Sequence, residues 1–369
     1  MHYRNVCVES VGYTLPEEVV TSSDIERRLA PLYERLRLPE GRLELMTGIR
    51  QRRFWPPGTL PSKISTASGQ RAFEAAGIDR RHIGALVHGS VCRDHLEPAT
   101  ASAVHHHLSL PAECMVYDVS NACLGILNGM VQVANMIELG QIRAGLVVGT
   151  EGSRQLVETT IETLNRDTSL TREQIKLSVA SLTIGSASAA ILLCDRELSR
   201  SGNRLLCATA RANTAFHRLC HSGADESVAD GMRPLMLTDS EQLMREGIAT
   251  GAETFATFLA ESGWGVEQIH KSFCHQVGLS HRRLMLEALA LDPTIDYTTV
   301  ETLGNTGSAA LPVTLALGMQ DGHLERGDHV ALLGIGSGIH SLMLAVEWQQ
   351  SLVLGYPARP ARRPAAVAG

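Results

Sequence analysis

Short apolar runs alternate with amphipathic stretches along most of the chain. The apolar runs are typical of buried strands, and the stretches between them repeat apolar residues at helical spacing. Strands that alternate with helices predict parallel α/β layers. The predicted strands cover residues 4–13, 83–91, 115–119, 143–151, 186–195, 204–213, 269–277, 329–338 and 339–348. The predicted helices cover residues 22–36, 64–78, 99–108, 124–137, 238–261 and 280–291.

The chain closes two successive portions in the same way. A pair of apolar strands rich in small residues lies within residues 143–195, and a similar pair lies within 329–348. This repetition predicts two similar α/β halves packed together, at residues 1–200 and 201–350.

Three polar segments interrupt or follow this pattern. Residues 152–180 are predicted to be a helix-rich insertion or lid, and residues 221–231 a polar loop rich in Gly and Asp. Residues 351–369, which end in a stretch rich in Pro, Ala and Arg, are predicted to be a disordered tail.

Composition indicates an ordinary globular protein. At 369 residues the chain can bury a large core without disulfide or metal staples. Hydrophobic residues make up 44%, charged residues 20%, and the net charge is −6, which gives no support for a nucleic-acid partner. No leader-like segment opens the sequence, and no apolar run approaches the roughly 18 residues of a membrane span. We therefore expect a cytoplasmic protein with no membrane span.

Cysteine and histidine usage argues against a metal site. The eight cysteines are scattered and include no Cys-x-x-Cys pair, which fits a reducing compartment. His105, His106 and His107 are consecutive, and consecutive residues on a helix point in different directions, so they cannot converge on one ion. No metal or cofactor is expected.

Cys123 lies at a predicted corner between the strand 115–119 and the helix 124–137. Unpaired N–H groups in the first helical turn and the positive end of the helix dipole stabilise negative charge there. The thiol is therefore expected to be more acidic than a free one, as a nucleophile requires. The alternative is that Cys123 is one more small, buried apolar residue.

Three further positions combine a reactive or permissive residue with the end of a strand. His275 follows an apolar strand, Asn305 lies in a turn flanked by Gly, and the Gly-rich turn 334–338 leaves N–H groups free for an oxyanion hole. Each alone has a structural explanation as a core histidine, a turn asparagine or a simple turn. Together with Cys123 they form a coherent set: a thiolate attacks an acyl thioester, while imidazole and amide donate to a carbonyl that gains negative charge.

These residues resemble the 3-ketoacyl-ACP synthase III branch of the thiolase superfamily over nearly the full length. The similarity is carried by DVSNACLG around Cys123, SFCHQV around His275 and GNTGSAALP around Asn305. The resemblance implies an α/β thiolase fold, with two βαβαβαββ halves in a five-layered αβαβα arrangement, and a homodimeric acyltransferase that forms carbon–carbon bonds. It implies that Cys123 is the nucleophile, and that the turn of Gly336, Ser337 and Gly338 supports the acyl-enzyme oxygen.

The segment SVCRDHLEPATA, at residues 90–101, resembles the OleA-type thiolases, which join two fatty acyl-CoA molecules head to head. In those enzymes the Glu of this segment reaches across the dimer and removes the α-proton of the second acyl chain. Glu97 matches it, 26 positions before Cys123. A base is needed here because an unactivated acyl-CoA must lose a C–H proton, whereas malonyl thioesters lose carbon dioxide instead. The alternative is that Glu97 is a solvated loop residue before a proline.

The carrier of the acyl group stays open. Family members commonly have an Arg just before the segment that matches TGIR, and this chain has Met46 there. Arg50, Arg52 and Arg53 are nearby candidates for contacts with pantetheine or with the nucleotide phosphates of CoA.

The expected function is a non-decarboxylative Claisen condensation of two fatty acyl-CoA molecules to a 2-alkyl-3-ketoacyl product. Three alternatives stay open: a decarboxylating synthase III or related pyrone-forming ketosynthase, a non-catalytic subunit that lends Glu97 to a neighbour, and simple acyl transfer to an alcohol or amine. The expected partners are acyl-CoA, a second copy of the chain, an acyl carrier protein as the alternative donor, and enzymes that consume the product.

Overall fold

Helices and strands alternate through residues 1–223 and 235–357, which are the residues that the computed structural model describes. The strands are β1 Val6–Thr14, β2 Glu18–Thr21, β3 Gln51–Phe54, β4 Ile83–Gly89, β5 Met115–Val119, β6 Ala144–Glu151, β7 Ala187–Asp195, β8 Arg204–Ala212, β9 Cys220–Ser222, β10 Met236–Thr238, β11 Lys271–Cys274, β12 His329–Gly336, β13 His340–Glu347 and β14 Val353–Tyr356. The α-helices are α1 Ser22–Arg28, α2 Ala30–Leu36, α3 Arg42–Thr47, α4 Pro61–Ala76, α5 Thr100–Leu108, α6 Gly125–Glu138, α7 Arg154–Arg166, α8 Arg172–Ser178, α9 Ser240–Ser262, α10 Leu279–Ala288, α11 Val300–Leu303 and α12 Ala310–Gln320.

The two halves of the chain build their sheets in the same strand order. The first half is ordered β5-β4-β6-β7-β1 and the second β11-β12-β13-β8. In the second half, a parallel bridge between Ser272 and Asp296 takes the edge place that β5 holds in the first. A backbone bridge between Cys7 and Arg204 joins both into one continuous sheet. This repeated order confirms two similar α/β halves, and the change from one to the other falls between β7 and β8.

The sheet is mixed, not parallel throughout. β4 lies parallel to β5 and β6, and β11 lies parallel to β12. β7 and β13 instead pair antiparallel with both of their neighbours. The prediction of parallel layers is therefore wrong for these two strands, because alternation with helices indicates the layers but not the direction in which each strand enters the sheet.

Three clusters of buried apolar residues lie between five layers. α4 and α5 pack outside the sheet of the first half, and α9 and α10 pack outside that of the second. α6 and α12 share the central cluster, which lies between the part of the sheet built by the first half and the part built by the second. α12 is buried on every side from Ala310 to Met319, as a helix of the middle layer must be. These contacts confirm the five-layered αβαβα arrangement.

Two predicted elements differ in detail from the structure. The predicted helix 22–36 is two helices that meet at Leu29, because Pro31 has no N–H to continue the first one and instead lies in the first turn of α2. The predicted strand 269–277 ends at Cys274, so His275 lies just beyond β11.

The three predicted polar segments agree with the structure to different extents. The span 152–180 is helical as predicted, and α7 and α8 share an apolar cluster with α1 and α2. The predicted tail is wrong at its start, because residues 353–356 form β14 and pair in parallel with β1. Residues 358–369 of that tail and 224–231 of the predicted polar loop lie outside the described residues.

No helix within the described parts of the chain combines the length and the apolar character that crossing a bilayer requires.

Candidate active site

Cys123 lies at a tight corner between β5 and α6. Two glycines bring the end of β4 against the start of α6: a Cβ on Gly89 would lie 2.5 Å from the carbonyl carbon of Gly125. Ala122, just before the cysteine, has a φ of 44°, a left-handed conformation that costs energy for a residue with a side chain. The local sequence therefore holds Cys123 at a fixed point above the edge of the sheet.

The thiol of Cys123 is not acidic in this setting. Burial, followed by the negative charge of Glu151, raises its pKa to about 12. The expectation of an acidic thiol is therefore wrong: α6 begins only at Gly125, and burial outweighs the favourable helix end. The resting thiol is neutral and has to lose its proton as it reacts.

The Gly-rich turn between β12 and β13 lies directly against Cys123. A Cβ on Gly336 would be 3.4 Å from the backbone nitrogen of Cys123 and 3.5 Å from its Cβ. Ser337 and Gly338 continue the same turn and are partly exposed. The backbone of this turn is therefore beside Cys123, where an oxyanion hole for a cysteine nucleophile would have to lie.

His275 lies on the same side of the sheet as this turn. Its side chain is 3% exposed, and its backbone N–H donates to the carbonyl of Leu333 on β12, at 3.0 Å. Since Leu333 is three residues before Gly336, β12 carries both the turn beside Cys123 and the anchor of His275. Burial lowers the pKa of His275 to about 3, so its imidazole is neutral near pH 7.

Gln276 fixes the loop that carries His275. Its side-chain nitrogen donates to the carbonyl of Tyr297 at 3.1 Å, and its side-chain oxygen accepts from the N–H groups of Thr299 and Val300 at 3.1 and 3.0 Å. The buried carboxamide thus connects the His275 loop to the start of α11, which leads to Asn305.

Asn305 is held so that its amide hydrogens are available. Its Oδ1 accepts from the backbone N–H of Gly307 at 3.0 Å. Its backbone N–H donates to the carbonyl of Thr183 at 3.0 Å, and its carbonyl accepts from Gly185 at 2.8 Å. The side-chain oxygen and the backbone are therefore engaged, and within the described residues no hydrogen bond occupies the Nδ2 group, which can donate to a ligand.

Glu151, at the end of β6, is a site residue that the sequence did not single out. It is 5% exposed, and its Oε1 accepts from the hydroxyl of Ser308 at 2.6 Å and from the N–H of Val91 at 3.2 Å. Its charge acts on the thiol of Cys123, so its carboxylate lies close to that thiol. The available signal was a carboxylate at the end of a buried strand in VVGTE, at the edge where α/β proteins place sites.

Glu97 lies on an exposed loop in the single chain, unlike the buried His275. The loop is anchored on both sides of Glu97: Asp94 accepts from the N–H of Ser62 at 2.9 Å, and Asp118 accepts from the N–H of Thr100 at 2.8 Å. Glu97 itself is exposed to solvent, on a loop that hydrogen bonds hold at both ends.

The three arginines have different surroundings. Arg52 is fully buried, and its guanidinium donates to Ser22 Oγ and to the carbonyl of Leu182, both at 3.1 Å. It therefore cannot reach a phosphate from solvent, and its candidacy as a substrate contact is wrong. Arg53 donates to the carbonyl of Pro16 at 2.7 Å.

Arg50 is the most accessible of the three arginines. Its side chain is 59% exposed and forms a 2.9 Å ion pair with Glu301. It is therefore the arginine best placed to meet a phosphate at the surface.

Two family models match the chain. The first, described as the N-terminal domain of thiolase, matches residues 51–193. The second, described as the C-terminal domain of 3-oxoacyl-[acyl-carrier-protein] synthase III, matches residues 259–348. Together with the five-layered fold and the cysteine corner, they define an acyltransferase of the thiolase superfamily.

Close relatives narrow this class. The acyl-CoA:acyl-CoA alkyltransferase of Shewanella oneidensis is 42% identical over 351 residues, which is 94% of this chain and 100% of that protein. Its namesake from Xanthomonas campestris is 34% identical over 348 residues, again 94% of this chain and 100% of that protein. The chain therefore belongs to the OleA family of acyl-CoA:acyl-CoA alkyltransferases.

Solved structures agree with this assignment. A cysteine-to-alanine variant of Xanthomonas campestris OleA superposes with a TM-score of 0.89 at 34% identity, covering 94% of this chain and 98% of that one. A cysteine-to-serine variant with bound lauric acid and lauroyl-CoA superposes with a TM-score of 0.88, covering 94% of this chain and 100% of that one at the same 34% identity.

Proposed function

We propose that this protein joins two fatty acyl-CoA molecules by a non-decarboxylative Claisen condensation, with Cys123, His275, Asn305 and Glu97 as its catalytic residues. The observation that carries the proposal is a half-buried cysteine beside a Gly-rich turn, in a chain that also supplies a carboxylate on an anchored loop. A decarboxylating synthase would need the cysteine but not the base.

The relatives support these roles. Xanthomonas campestris OleA has been solved with lauroyl-CoA bound and as variants in which a cysteine, a glutamate or a histidine is replaced. In that protein the replaced glutamate precedes the replaced cysteine by the same 26 positions that separate Glu97 from Cys123 here. We therefore take long-chain acyl-CoA as the substrate class.

The first step is transfer of an acyl group to the enzyme. Sγ of Cys123 forms a bond to the acyl carbon, the bond from that carbon to the CoA sulfur breaks, and the thiol proton leaves on the CoA thiol. The acyl oxygen carries negative charge during this exchange, and the N–H groups of Cys123 and of the turn at Gly336–Gly338 stabilise it. Because the resting thiol is neutral, its proton leaves only as the new bond forms.

The second step forms the carbon–carbon bond. Glu97 removes a proton from the α-carbon of a second acyl-CoA, and the amide of Asn305 and the neutral imidazole of His275 donate to its carbonyl oxygen. The α-carbon then attacks the acyl carbon on Cys123, the bond to Sγ breaks, and the sulfur regains a proton from Glu97. The product is a 2-alkyl-3-ketoacyl-CoA, and hydrolysis converts it to the β-keto acid.

A homodimer would bring Glu97 to the site. β5 is an edge strand of the sheet, and its first residue, Met115, is 54% exposed although it is apolar. Leu96, next to Glu97, is 46% exposed. An open edge strand with exposed apolar side chains favours pairing with a second copy, which would cover this face and carry Glu97 toward the partner's cysteine.

Incubation with myristoyl-CoA alone tests the proposal. We expect a long-chain β-keto acid, or the ketone left after it loses carbon dioxide, without any malonyl thioester, and no product from Cys123→Ala. Product that forms only after malonyl-CoA is added would replace the proposal with a decarboxylating synthase. An ester or amide of a single acyl chain would replace it with simple acyl transfer.

A further inference from the structure

A small cavity lies behind His275, in the second half of the chain. Its volume is about 10 Å³, which is about the room that one water molecule needs. Two histidines line it, His275 and His281, the latter in the first turn of α10. Its other lining residues come from α9, α10, β11, β12, β13 and the turn after α10, and they include Gly334 and Ser341.

The Nδ1 atoms of both histidines need a partner. Each is buried, and neither makes a hydrogen bond within the described parts of the chain. A buried polar atom without a partner is costly, and most such atoms in proteins bond to protein or to ordered water. The hydroxyl of Ser341, which also lines the cavity, already donates to the carbonyl of Gly334 at 3.1 Å.

His275 can donate to the carbonyl of the second acyl-CoA only if its proton is on the ring nitrogen that faces the substrate. Burial lowers the pKa of His275 to about 3 and that of His281 to about 4, so both rings are neutral near pH 7. A neutral imidazole carries one proton. If the proton is on Nε2, His275 can donate to a thioester oxygen, and Nδ1 is then an acceptor that needs a donor.

We propose that one water molecule occupies this cavity and connects Nδ1 of His281 to Nδ1 of His275. The water accepts from Nδ1–H of His281 and donates to Nδ1 of His275, which keeps the proton of His275 on Nε2. His281 is thus a positioning residue that acts through His275 and touches no substrate. This inference rests on the proposed function, in which His275 donates to the second acyl-CoA.

The test compares two substitutions that differ in one group. His281→Phe keeps a ring of similar size but removes Nδ1, whereas His281→Asn places an amide group at the same number of bonds from the backbone as Nδ1. In the Phe variant, condensation by preacylated enzyme should slow about tenfold, or about 1.4 kcal/mol, with acylation of Cys123 unchanged. The Asn variant should retain most of the condensation rate.

A second readout follows the proton itself. Histidine labelled with ¹⁵N should show His275 with the proton on Nε2 in the unmodified protein and in His281→Asn, and a mixture of tautomers in His281→Phe. The His275 signals are assigned by their loss in His275→Ala. If His281→Phe does not fold, His281→Leu removes the same nitrogen with a smaller side chain and carries the same expectations.

The outcomes separate this inference from the proposed function. An unchanged tautomer, or an unchanged condensation rate, in the variants that lack Nδ1 would overturn the role of His281. Full condensation by His275→Ala would overturn the role of His275 as a donor, whatever His281 does, and the absence of condensed product from the unmodified protein with myristoyl-CoA alone would overturn the proposed function. Loss in His275→Ala, together with the tautomer shift and the slower rate in His281→Phe, would support both.

Discussion

The carboxylate of Glu151 accepts a 2.6 Å hydrogen bond from the hydroxyl of Ser308, a contact between the first and second halves of the chain. The same carboxylate accepts from the backbone N–H groups of Val91 and Cys92, at 3.2 and 3.4 Å. Residues 91 and 92 begin the loop that carries Glu97, and Ser308 lies three residues after Asn305. One buried charge therefore joins the loop of the proposed base to the loop of the proposed amide donor.

Glu151→Gln should separate the charge of this residue from its shape. Removal of a negative charge near Cys123 favours the thiolate, so the pKa of the thiol should fall. The carboxylate accepts hydrogen bonds from two N–H groups at the start of the Glu97 loop, whereas the NH₂ of the new amide can only donate, so at least one of these bonds is lost. The loop is then held less firmly, and condensation should slow about tenfold or more. The pH dependence of iodoacetamide labelling, followed on the Cys123 peptide by mass spectrometry, measures the first effect.

Glu162→Gln is the matched control, because Glu162 is exposed on α7. It should leave both the labelling profile and the condensation rate unchanged. A labelling profile in Glu151→Gln that matches the unmodified protein would mean that Glu151 does not act on the thiol.

Mixed dimers test whether Glu97 acts across the subunit interface. Cys123→Ala and Glu97→Gln should each be inactive as homodimers. In a dimer of one chain of each kind, the intact cysteine meets the intact glutamate of its partner, so one of the two sites should work and activity should be about half that of the unmodified dimer. Tandem affinity tags isolate the mixed species. An inactive mixed dimer would mean that Glu97 serves the cysteine of its own chain.

The burial of His275 should make stability depend on pH. Its pKa is about 3 in the fold and 6.5 when free, so the unfolded chain binds a proton below about pH 6.5 that the folded chain does not. The contribution of the neutral imidazole to the free energy of unfolding is therefore complete above about pH 6.5 and decreases as the pH falls below that value. Between pH 7 and 5 His275 should account for a loss of about 2 kcal/mol.

Urea unfolding of the unmodified protein and of His275→Asn at both pH values isolates this effect, because other titrating groups are common to both. The difference between their free energies of unfolding should change by about 2 kcal/mol between the two pH values. A constant difference would show that His275 is not held neutral by burial.

Alternation of apolar and amphipathic segments was sufficient to predict layers, two halves and most element positions. It could not predict the direction of β7 and β13, because strand direction depends on how distant segments meet. The same reason explains why Glu151 was not predicted as a site residue. A single carboxylate at the end of VVGTE is also typical of the surface, and its partner Ser308 is 157 positions further along the chain.

Cys123 and Arg52 show where local arguments fail. The corner argument for an acidic thiol considers the helix end alone, whereas burial is set by residues from β12 and β6 that pack around the corner. Arg52 follows TGIR in a basic cluster that suggests phosphate binding, yet β3 turns this one side chain inward to Ser22 and Leu182. Side chains alternate between the two faces of a strand, so Arg52 and Arg53 must point to opposite faces of β3. Only the elements that pack against β3 show which of the two faces is buried.

Intact-protein mass spectrometry of Glu97→Gln after incubation with myristoyl-CoA shows whether acylation of Cys123 and condensation are separate steps that need different residues. We expect one myristoyl group on Cys123 of each chain, release of one CoA per chain, and no condensed product, because acylation needs the thiol and condensation needs the base. Glu113→Gln, at another exposed glutamate, should turn over like the unmodified protein. Continued formation of β-keto product by Glu97→Gln, or the absence of acyl label on Cys123, would contradict this division of roles.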